Sequence, residues 1–371
     1  MISIKVLFQN RNNVFEKWGG DTTQMVETRN NLLKLGVDVT INMETDPDLG
    51  DFDLVHIFNI QIEDFGLKQI LKAKNEGLPV ALSTIYWDFR YALNLKQVHL
   101  YSENPLIRNL AKINVNIPHY TSKLLFYRKN RNNLERIKLM LKESDILLPN
   151  SYSELEIMAT LFRMPEIRQK AMIIPNGVSE QRIFNTNNTV MNEKSKLPSS
   201  YVLQVASFDI VKGQLNLIKS LIDYPEIPLV FIGTGLESAY GKECINLGQK
   251  RTNTYFLGKI PHEKIYKYYS NAKVHVLPSL RETPGLSTLE AAISGANCVI
   301  SMHSPVTEYF GLNTLCCDPL DIESIQKNVL KAWNSPKSDE LKNFILNNFT
   351  WKKAALKTLN AYKYILKNHK I

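Results

Sequence analysis

The sequence has few cysteines and no long apolar run. Its 371 residues include four cysteines, and no two of them have the spacing of a zinc or redox motif. A reducing, cytoplasmic environment is the simplest interpretation. No apolar stretch is long enough to cross a bilayer, and the first eight residues resemble a strand more than a signal peptide. We therefore expect a soluble protein or one that binds a membrane only peripherally.

The sequence also lacks the marks of a nucleic-acid-binding protein and of a dehydrogenase. The net charge of +9 and the pI of about 9.1 favour anionic partners, but the basic residues are scattered and no nucleic-acid recognition motif accompanies them. Gly233-Thr234-Gly235 follows an apolar run, yet the third glycine of a dinucleotide fingerprint is missing. We therefore expect no nucleic-acid partner and no hydride transfer.

The densest basic segment, Lys123 to Lys142, has the apolar spacing of a helix. A solvated helix face above an ordinary buried stripe is the favoured interpretation. Contact with anionic lipid headgroups is the alternative.

Short apolar runs alternate with helical patterns in both halves of the chain, which is typical of parallel sheets with crossover helices. The length also favours two domains. We predict an α/β fold in which residues 1–184 form one Rossmann-like domain, 185–200 a linker, and 201–350 a second such domain. A helical stripe in 351–369 must dock on one of them. The ten predicted strands are Ile2–Phe8, Val37–Ile41, Leu54–Phe58, Val80–Ser83, Ile146–Pro149, Tyr201–Ala206, Leu229–Gly233, Thr254–Leu257, Val274–Leu277 and Cys298–Ser301.

The stretch from Glu282 to Glu290 predicts an anion site. It follows an apolar strand and passes Gly285 into a helix, whose first N–H groups are free to bind a phosphate. The two carboxylates can accept hydrogen bonds from sugar hydroxyls, so a nucleotide sugar fits the pattern. The alternative is a solvated loop residue at Glu282 and an ordinary helix carboxylate at Glu290. The small residues that follow Glu290 indicate a buried helix, where carboxylates need partners.

Two further motifs follow predicted strands. Gly19-Gly20 allows close approach of a ligand to a helix start, although a plain turn capped by Asp21 or Thr22 explains it equally well. Lys212 offers a cation after the first strand of the second half, although exposed lysines are usually only solvated. Two Asp-x-Asp triplets, at 46–48 and 51–53, precede a strand, and we interpret them as solvated turn residues away from the ligand.

Taken in order, these motifs resemble the retaining glycosyltransferases of the GT-B fold, group 1, also called glycosyltransferase family 4. The resemblance covers most of the chain and rests on six features. These are Gly19-Gly20, Ile174-Pro175-Asn176-Gly177-Val178, Lys212-Gly213, Phe256-Leu257-Gly258, the paired glutamates followed by Ala291-Ala292, and Phe349-Thr350-Trp351 before the last helix. It implies two Rossmann-like domains facing a central cleft, with the C-terminal helix returning to the first domain.

The resemblance also implies an activity and a set of roles. A nucleotide-diphospho-sugar would be held mainly by the second domain, and an acceptor glycan or lipid-linked glycan by the first. No metal or other cofactor is expected. Glu282 and Lys212 would be catalytic, with Glu282 on the sugar, Glu290 on the ribose and Lys212 neutralising the departing diphosphate. The remaining donor-binding candidates are Gly19, Gly20, Ser207, Gly235, Ile260, Arg281, Gly285, Leu286 and Ser287.

Two positions depart from the family pattern. Ser207 stands where an arginine is usual, and we hypothesise that Arg281 supplies the missing cation. A histidine that is often found after the fourth strand is absent, so Tyr86 or Asp88 is a candidate acceptor contact, with packing and capping as the alternatives. The departures keep two other functions open, a catalytically silent GT-B binding protein and a GT-B nucleotide-sugar epimerase. Polysaccharide, capsule or lipopolysaccharide synthesis on the cytoplasmic membrane face is the expected setting.

Overall fold

The computed structural model describes residues 4–86, 131–179, 197–302, 305–311 and 314–369. Within these ranges the chain divides into two compact units. The first contains 4–86, 131–177 and 349–369, and the second contains 178–179 and the described residues from 197 to 348. Most of the predicted linker, 185–200, lies outside the described residues. In the part of the chain described, no helix is long and apolar enough to cross a membrane.

The first unit is built on a five-stranded sheet with every neighbouring pair parallel, in the order β2-β1-β3-β4-β5. Strands β3 and β4 are buried along their whole length, as expected for a sheet covered on both faces. The five predicted strands are all present. The bounds are β1 Lys5–Gln9, α1 Gly20–Lys34, β2 Asp38–Ile41, β3 Leu54–Phe58, α2 Glu63–Asn75, β4 Val80–Ser83, α3 131–143, β5 Ile146–Leu147 and α4 Tyr152–Leu161.

The second unit contains a six-stranded parallel sheet in the order β11-β10-β9-β6-β7-β8. Strands β6 to β10 were predicted from the sequence, whereas the three-residue β11 at the sheet edge was not. The bounds are β6 Tyr201–Val205, α5 Gln214–Ser220, β7 Leu229–Ile232, α6 Ala239–Gly248, β8 Thr254–Phe256, α7 His262–Asn271, β9 Ala272–Leu277, α8 Leu286–Ile293, β10 Asn297–Ser301, α9 Val306–Phe310, β11 Leu315–Cys317, α10 Ile322–Asn334 and α11 Asp339–Asn348.

The last helix, α12 Trp351–His369, packs in the first unit against α1. Tyr362 is fully buried, and its hydroxyl lies 2.6 Å from Nδ1 of His56 on β3. The other ring nitrogen of His56 lies 2.9 Å from the Ser83 hydroxyl on β4. The predicted return of the C-terminal helix to the first domain is therefore confirmed.

Candidate functional site

The second sheet changes direction between β6 and β9. From β6 the chain adds β7 and β8 on one side, and from β9 it adds β10 and β11 on the other. In parallel α/β sheets, ligands bind beyond the carboxyl ends of the strands at such a switch point. Lys212 lies in the loop after β6 and Glu282 in the loop after β9. The sheet topology therefore brings two of the predicted site residues together.

Lys212 and Glu282 form an ion pair between Nζ and Oε1. The hydroxyl of Ser279 donates to the same carboxylate oxygen at 2.9 Å. The Glu282 side chain is 9% exposed and that of Lys212 is 17% exposed, so neither is a freely solvated surface charge. The solvated interpretations of these two residues do not match this arrangement.

The backbone holds these two loops against each other. Residues 210–212 form a single 3₁₀ turn, which Asp209 caps by accepting from the Val211 N–H at 3.0 Å. The carbonyl of Val211 in turn accepts from the Leu280 N–H at 2.8 Å. Gly213 has φ of +72°, and a Cβ there would lie 2.4 Å from the carbonyl oxygen of Pro278. Only glycine allows the loops to approach this closely.

Helix α8 begins without a side-chain cap. Gly285 at its N-cap has φ of +83°, and its carbonyl accepts from the N–H groups of Thr288 and Leu289. Leu286 and Ser287 form the first turn, where N–H groups have no partner within a helix. These amides and the helix dipole favour an anion at this end. The loop from Glu282 to the helix contains a cis peptide bond before Pro284.

Glu290 lies in the second turn of α8, and both of its carboxylate oxygens are engaged. Nε2 of His262 lies 2.7 Å from Oε1, and the Tyr269 hydroxyl donates to Oε2 at 3.1 Å. Burial, reinforced by the nearby carboxylate, raises the pKa of Tyr269 well above its usual value, so the hydroxyl remains a proton donor. The sequence predicted that a carboxylate on this buried helix needs partners. His262 and Tyr269 are those partners.

The remaining donor-binding candidates of this unit lie on neighbouring loops. Ser207 is exposed, and Phe208 after it donates its N–H to the Thr234 carbonyl at 2.7 Å, which ties the loop after β6 to the loop after β7. Gly235 in that second loop has φ of +92°. Ile260 is half-buried two residues before His262, and Arg281 is half-buried beside Glu282. Their roles in binding a donor stay predictions.

Gly19 and Gly20 belong to the first unit, at the start of α1. The Thr22 hydroxyl accepts from the Gly19 N–H at 3.2 Å, and Asp21 forms an ion pair with Arg11. These contacts are those of the capped-turn alternative. A donor contact at the two glycines stays a prediction.

Of the two acceptor candidates, Tyr86 is described by the structure and Asp88 is not. Tyr86 is 7% exposed, its ring packs edge-on against Phe162, and its N–H donates to Oε1 of Glu154 at 2.9 Å. Its surroundings therefore favour the packing alternative over an acceptor contact. Asp88 lies outside the described residues.

The first unit instead contains an open cavity of about 490 Å³ that no sequence pattern indicated. Asp46 lines it, pairs with Lys72 and has a side chain that is 80% exposed. The described residues contain no group of three or more His, Cys, Asp or Glu side chains arranged to hold a metal. The complete lining is Asn12, Met43, Glu44, Thr45, Asp46 and Phe65.

Sequence reasoning also missed His262, Tyr269 and Ser279. Each contacts one of the paired glutamates, from 28, 21 and 3 positions away respectively. A serine three residues before Glu282 was a local signal that was available. The other two contacts depend on how α7 packs beside α8, and no spacing rule indicates them.

Comparison with known proteins agrees with this geometry. Residues 187–351 match the family model for glycosyl transferases group 1. The O-antigen chain mannosyltransferase B of Escherichia coli is 28% identical over 175 residues, which cover 44% of this chain and 46% of the relative. An uncharacterized glycosyltransferase of Methanocaldococcus jannaschii is 26% identical over 248 residues, which cover 60% of each protein. The chain therefore spans about half of the length of these curated relatives.

Solved structures resemble the chain over nearly all its length. A sucrose-phosphate synthase from Thermosynechococcus elongatus gives a TM-score of 0.69 at 15% identity, covering 98% of this chain and 100% of that one. A glycosyltransferase from Rickettsia africae gives 0.70 at 15% identity, covering 99% and 100%. Anabaena HepE in complex with UDP gives 0.59 at 14% identity, also covering 99% and 100%. The chain has the GT-B fold, and its residues 187–351 are similar to the glycosyl transferases of group 1.

Proposed function

We propose that this protein transfers a sugar from a nucleotide-diphospho-sugar to an acceptor hydroxyl with retention of anomeric configuration. The observation that carries the proposal is the Lys212–Glu282 ion pair at the switch point of the second sheet. It stands beside an uncapped helix N-terminus. A cation, a carboxylate and bare amides are the groups that a phosphorylated sugar requires.

The roles follow from the chemistry of each group. The amides of Gly285, Leu286 and Ser287 receive the diphosphate, and Glu290 accepts from the ribose hydroxyls. When the diphosphate binds, it competes with Glu282 for the ammonium of Lys212. Glu282 is then released toward the sugar hydroxyls, and Lys212 neutralises the charge that develops as the sugar–phosphate bond breaks. The ion pair thus keeps both groups in place until the donor replaces it.

The donor class is tested by thermal shift against a complete panel of UDP, GDP, ADP, CDP and dTDP sugars. A true donor stabilises the folded protein by mass action, by about 2.7 kcal/mol at a hundred times its Kd. A double variant, Lys212→Ala with Glu290→Ala, serves as the control and should lose the shift. A panel in which no nucleotide stabilises the wild-type protein would contradict the proposed function.

The alternatives make different use of the same donor. A silent GT-B protein binds it without releasing nucleoside diphosphate, and an epimerase converts the free nucleotide sugar without any acceptor. Contact between Lys212 and Glu282, the two groups assigned to catalysis, favours the transferase over the silent protein. Release of nucleoside diphosphate from the selected donor identifies the transferase, and conversion of that donor to its epimer identifies the epimerase.

We further propose a glycan acceptor, with lipid-linked glycans as the expected form. The mannosyltransferase relative named above is an O-antigen chain enzyme, which supports an extended carbohydrate. The cavity of the first unit also suits sugar hydroxyls, because Glu44 and Asp46 accept hydrogen bonds and Phe65 offers an apolar face.

Glu44→Gln and Phe65→Ala are expected to raise the KM for the acceptor about tenfold, because each removes a contact to a bound sugar worth about 1.4 kcal/mol. The KM for the donor and acceptor-free donor hydrolysis should not change. Initial rates with polysaccharide repeat fragments measure both constants. Glu16→Gln, an exposed carboxylate of the same unit outside the cavity, is the matched control. Equal acceptor constants in all three variants would remove the cavity from the acceptor site.

A further inference from the structure

His262 occupies an unusual position beside the predicted nucleoside-binding residues. It is the first residue of α7, its side chain is 43% exposed, and Nε2 lies 2.7 Å from Oε1 of Glu290. Ile260, expected to contact the base, is two residues earlier in the chain. An exposed imidazole thus contacts the residue expected to bind the ribose, and it follows the residue expected to contact the base by two positions.

This contact differs from an ordinary surface ion pair, which contributes little to stability. Glu290 is only 12% exposed, and its second oxygen is held from the interior by Tyr269. The contact with His262 therefore holds the one oxygen of Glu290 that Tyr269 does not hold.

The groups behind Glu290 supply no competing charge. On β9, His275 is fully buried, and burial lowers its pKa to about 3, so it is neutral. Its ring packs edge-on against Tyr269. On β10, burial raises the pKa of Cys298 and keeps it a thiol. Among the described residues around this carboxylate, His262 is therefore the group that holds the solvent-facing oxygen Oε1.

We propose that His262 is a positioning residue that orients Glu290 for the 2′- and 3′-hydroxyls of the donor nucleoside. Each carboxylate oxygen accepts two hydrogen bonds, so Oε1 can hold His262 and a ribose hydroxyl together. Because both oxygens of Glu290 are held before the ligand arrives, the Glu290 side chain loses less rotational freedom when the ribose binds. The inference rests on the proposed function and adds a residue to its ribose subsite.

The test compares the ribonucleoside diphosphate that binds best in a panel of UDP, GDP, ADP and CDP with its 2′,3′-dideoxy analogue. Calorimetry gives the affinity of each for the wild type and for His262→Ala. We expect the wild type to lose about tenfold on removal of the hydroxyls, and His262→Ala to lose about tenfold for the natural ligand. His262→Ala should then distinguish the two ligands by less than about threefold.

Two further variants complete the experiment. His262→Gln keeps an N–H donor and should restore part of the discrimination, and Lys264→Ala, exposed in the same helical turn, should behave as wild type. If His262→Ala weakens both ligands equally, or neither, the residue is structural or idle and the inference is wrong. If no nucleoside diphosphate binds the wild type, the proposed function itself fails.

Discussion

Replacing Lys212 with alanine is expected to lower kcat for sugar transfer by about a hundredfold, because one electrostatic contact to the departing group contributes about 3 kcal/mol in comparable sites. The ammonium is already held beside Glu282 and Ser279 at the carboxyl ends of β6 and β9. Little reorganisation is needed when charge develops on the diphosphate. Steady-state release of nucleoside diphosphate, with the donor that the panel identifies, measures the loss.

The companion variants make the prediction specific. Lys219→Ala removes an exposed lysine of α5 in the same unit and should leave kcat unchanged. Glu282→Gln should also lower kcat, and the double variant should lose less than the sum, since the two groups are in contact. Arg281→Ala tests the hypothesis that Arg281 supplies the second cation. That hypothesis is wrong if Arg281→Ala leaves the donor affinity unchanged while Lys212→Ala lowers it. A Lys212→Ala enzyme with wild-type kcat would contradict the assigned role.

The local parts of the site could be predicted because their signals are local. A strand, a glycine and a helix start follow one another within a few residues around Gly285, and the free first-turn amides follow from helix geometry alone. The alternation of apolar runs likewise predicted ten of the eleven strands found in the described residues. Strand β11, Leu315–Cys317, was not predicted.

The contacts of the site could not be predicted because they join distant segments. Lys212 and Glu282 are 70 positions apart, and only the order of strands in the sheet brings them together. His56 and Tyr362 are 306 positions apart. The burial of Tyr86 could not be predicted for the same reason, since a loop position after a strand does not reveal that Phe162 and Glu154 contact it.

Acid is expected to destabilise the protein steeply below pH 6.5, because two buried histidines must remain neutral in the folded state. Burial lowers the pKa of both His56 and His275 from 6.5 to about 3. Below pH 6.5 these two histidines therefore bind protons in the unfolded chain but not in the folded chain. The free energy of unfolding falls as the pH falls, until about pH 3. At pH 5 each histidine contributes a loss of roughly 2 kcal/mol relative to pH 7.5. Urea unfolding at a series of pH values measures the sum.

His275 can be separated from His56 because their surroundings differ. The ring of His56 contacts Tyr362 and Ser83, whereas neither ring nitrogen of His275 has a hydrogen-bond partner among the described residues. His275→Phe therefore keeps an aromatic ring against Tyr269 and removes two buried polar atoms that lack partners. We expect this variant to match or exceed wild-type stability at pH 7.5 and to lose about half as much between pH 7.5 and 5. An unaltered acid slope in His275→Phe would show that this histidine does not titrate on unfolding.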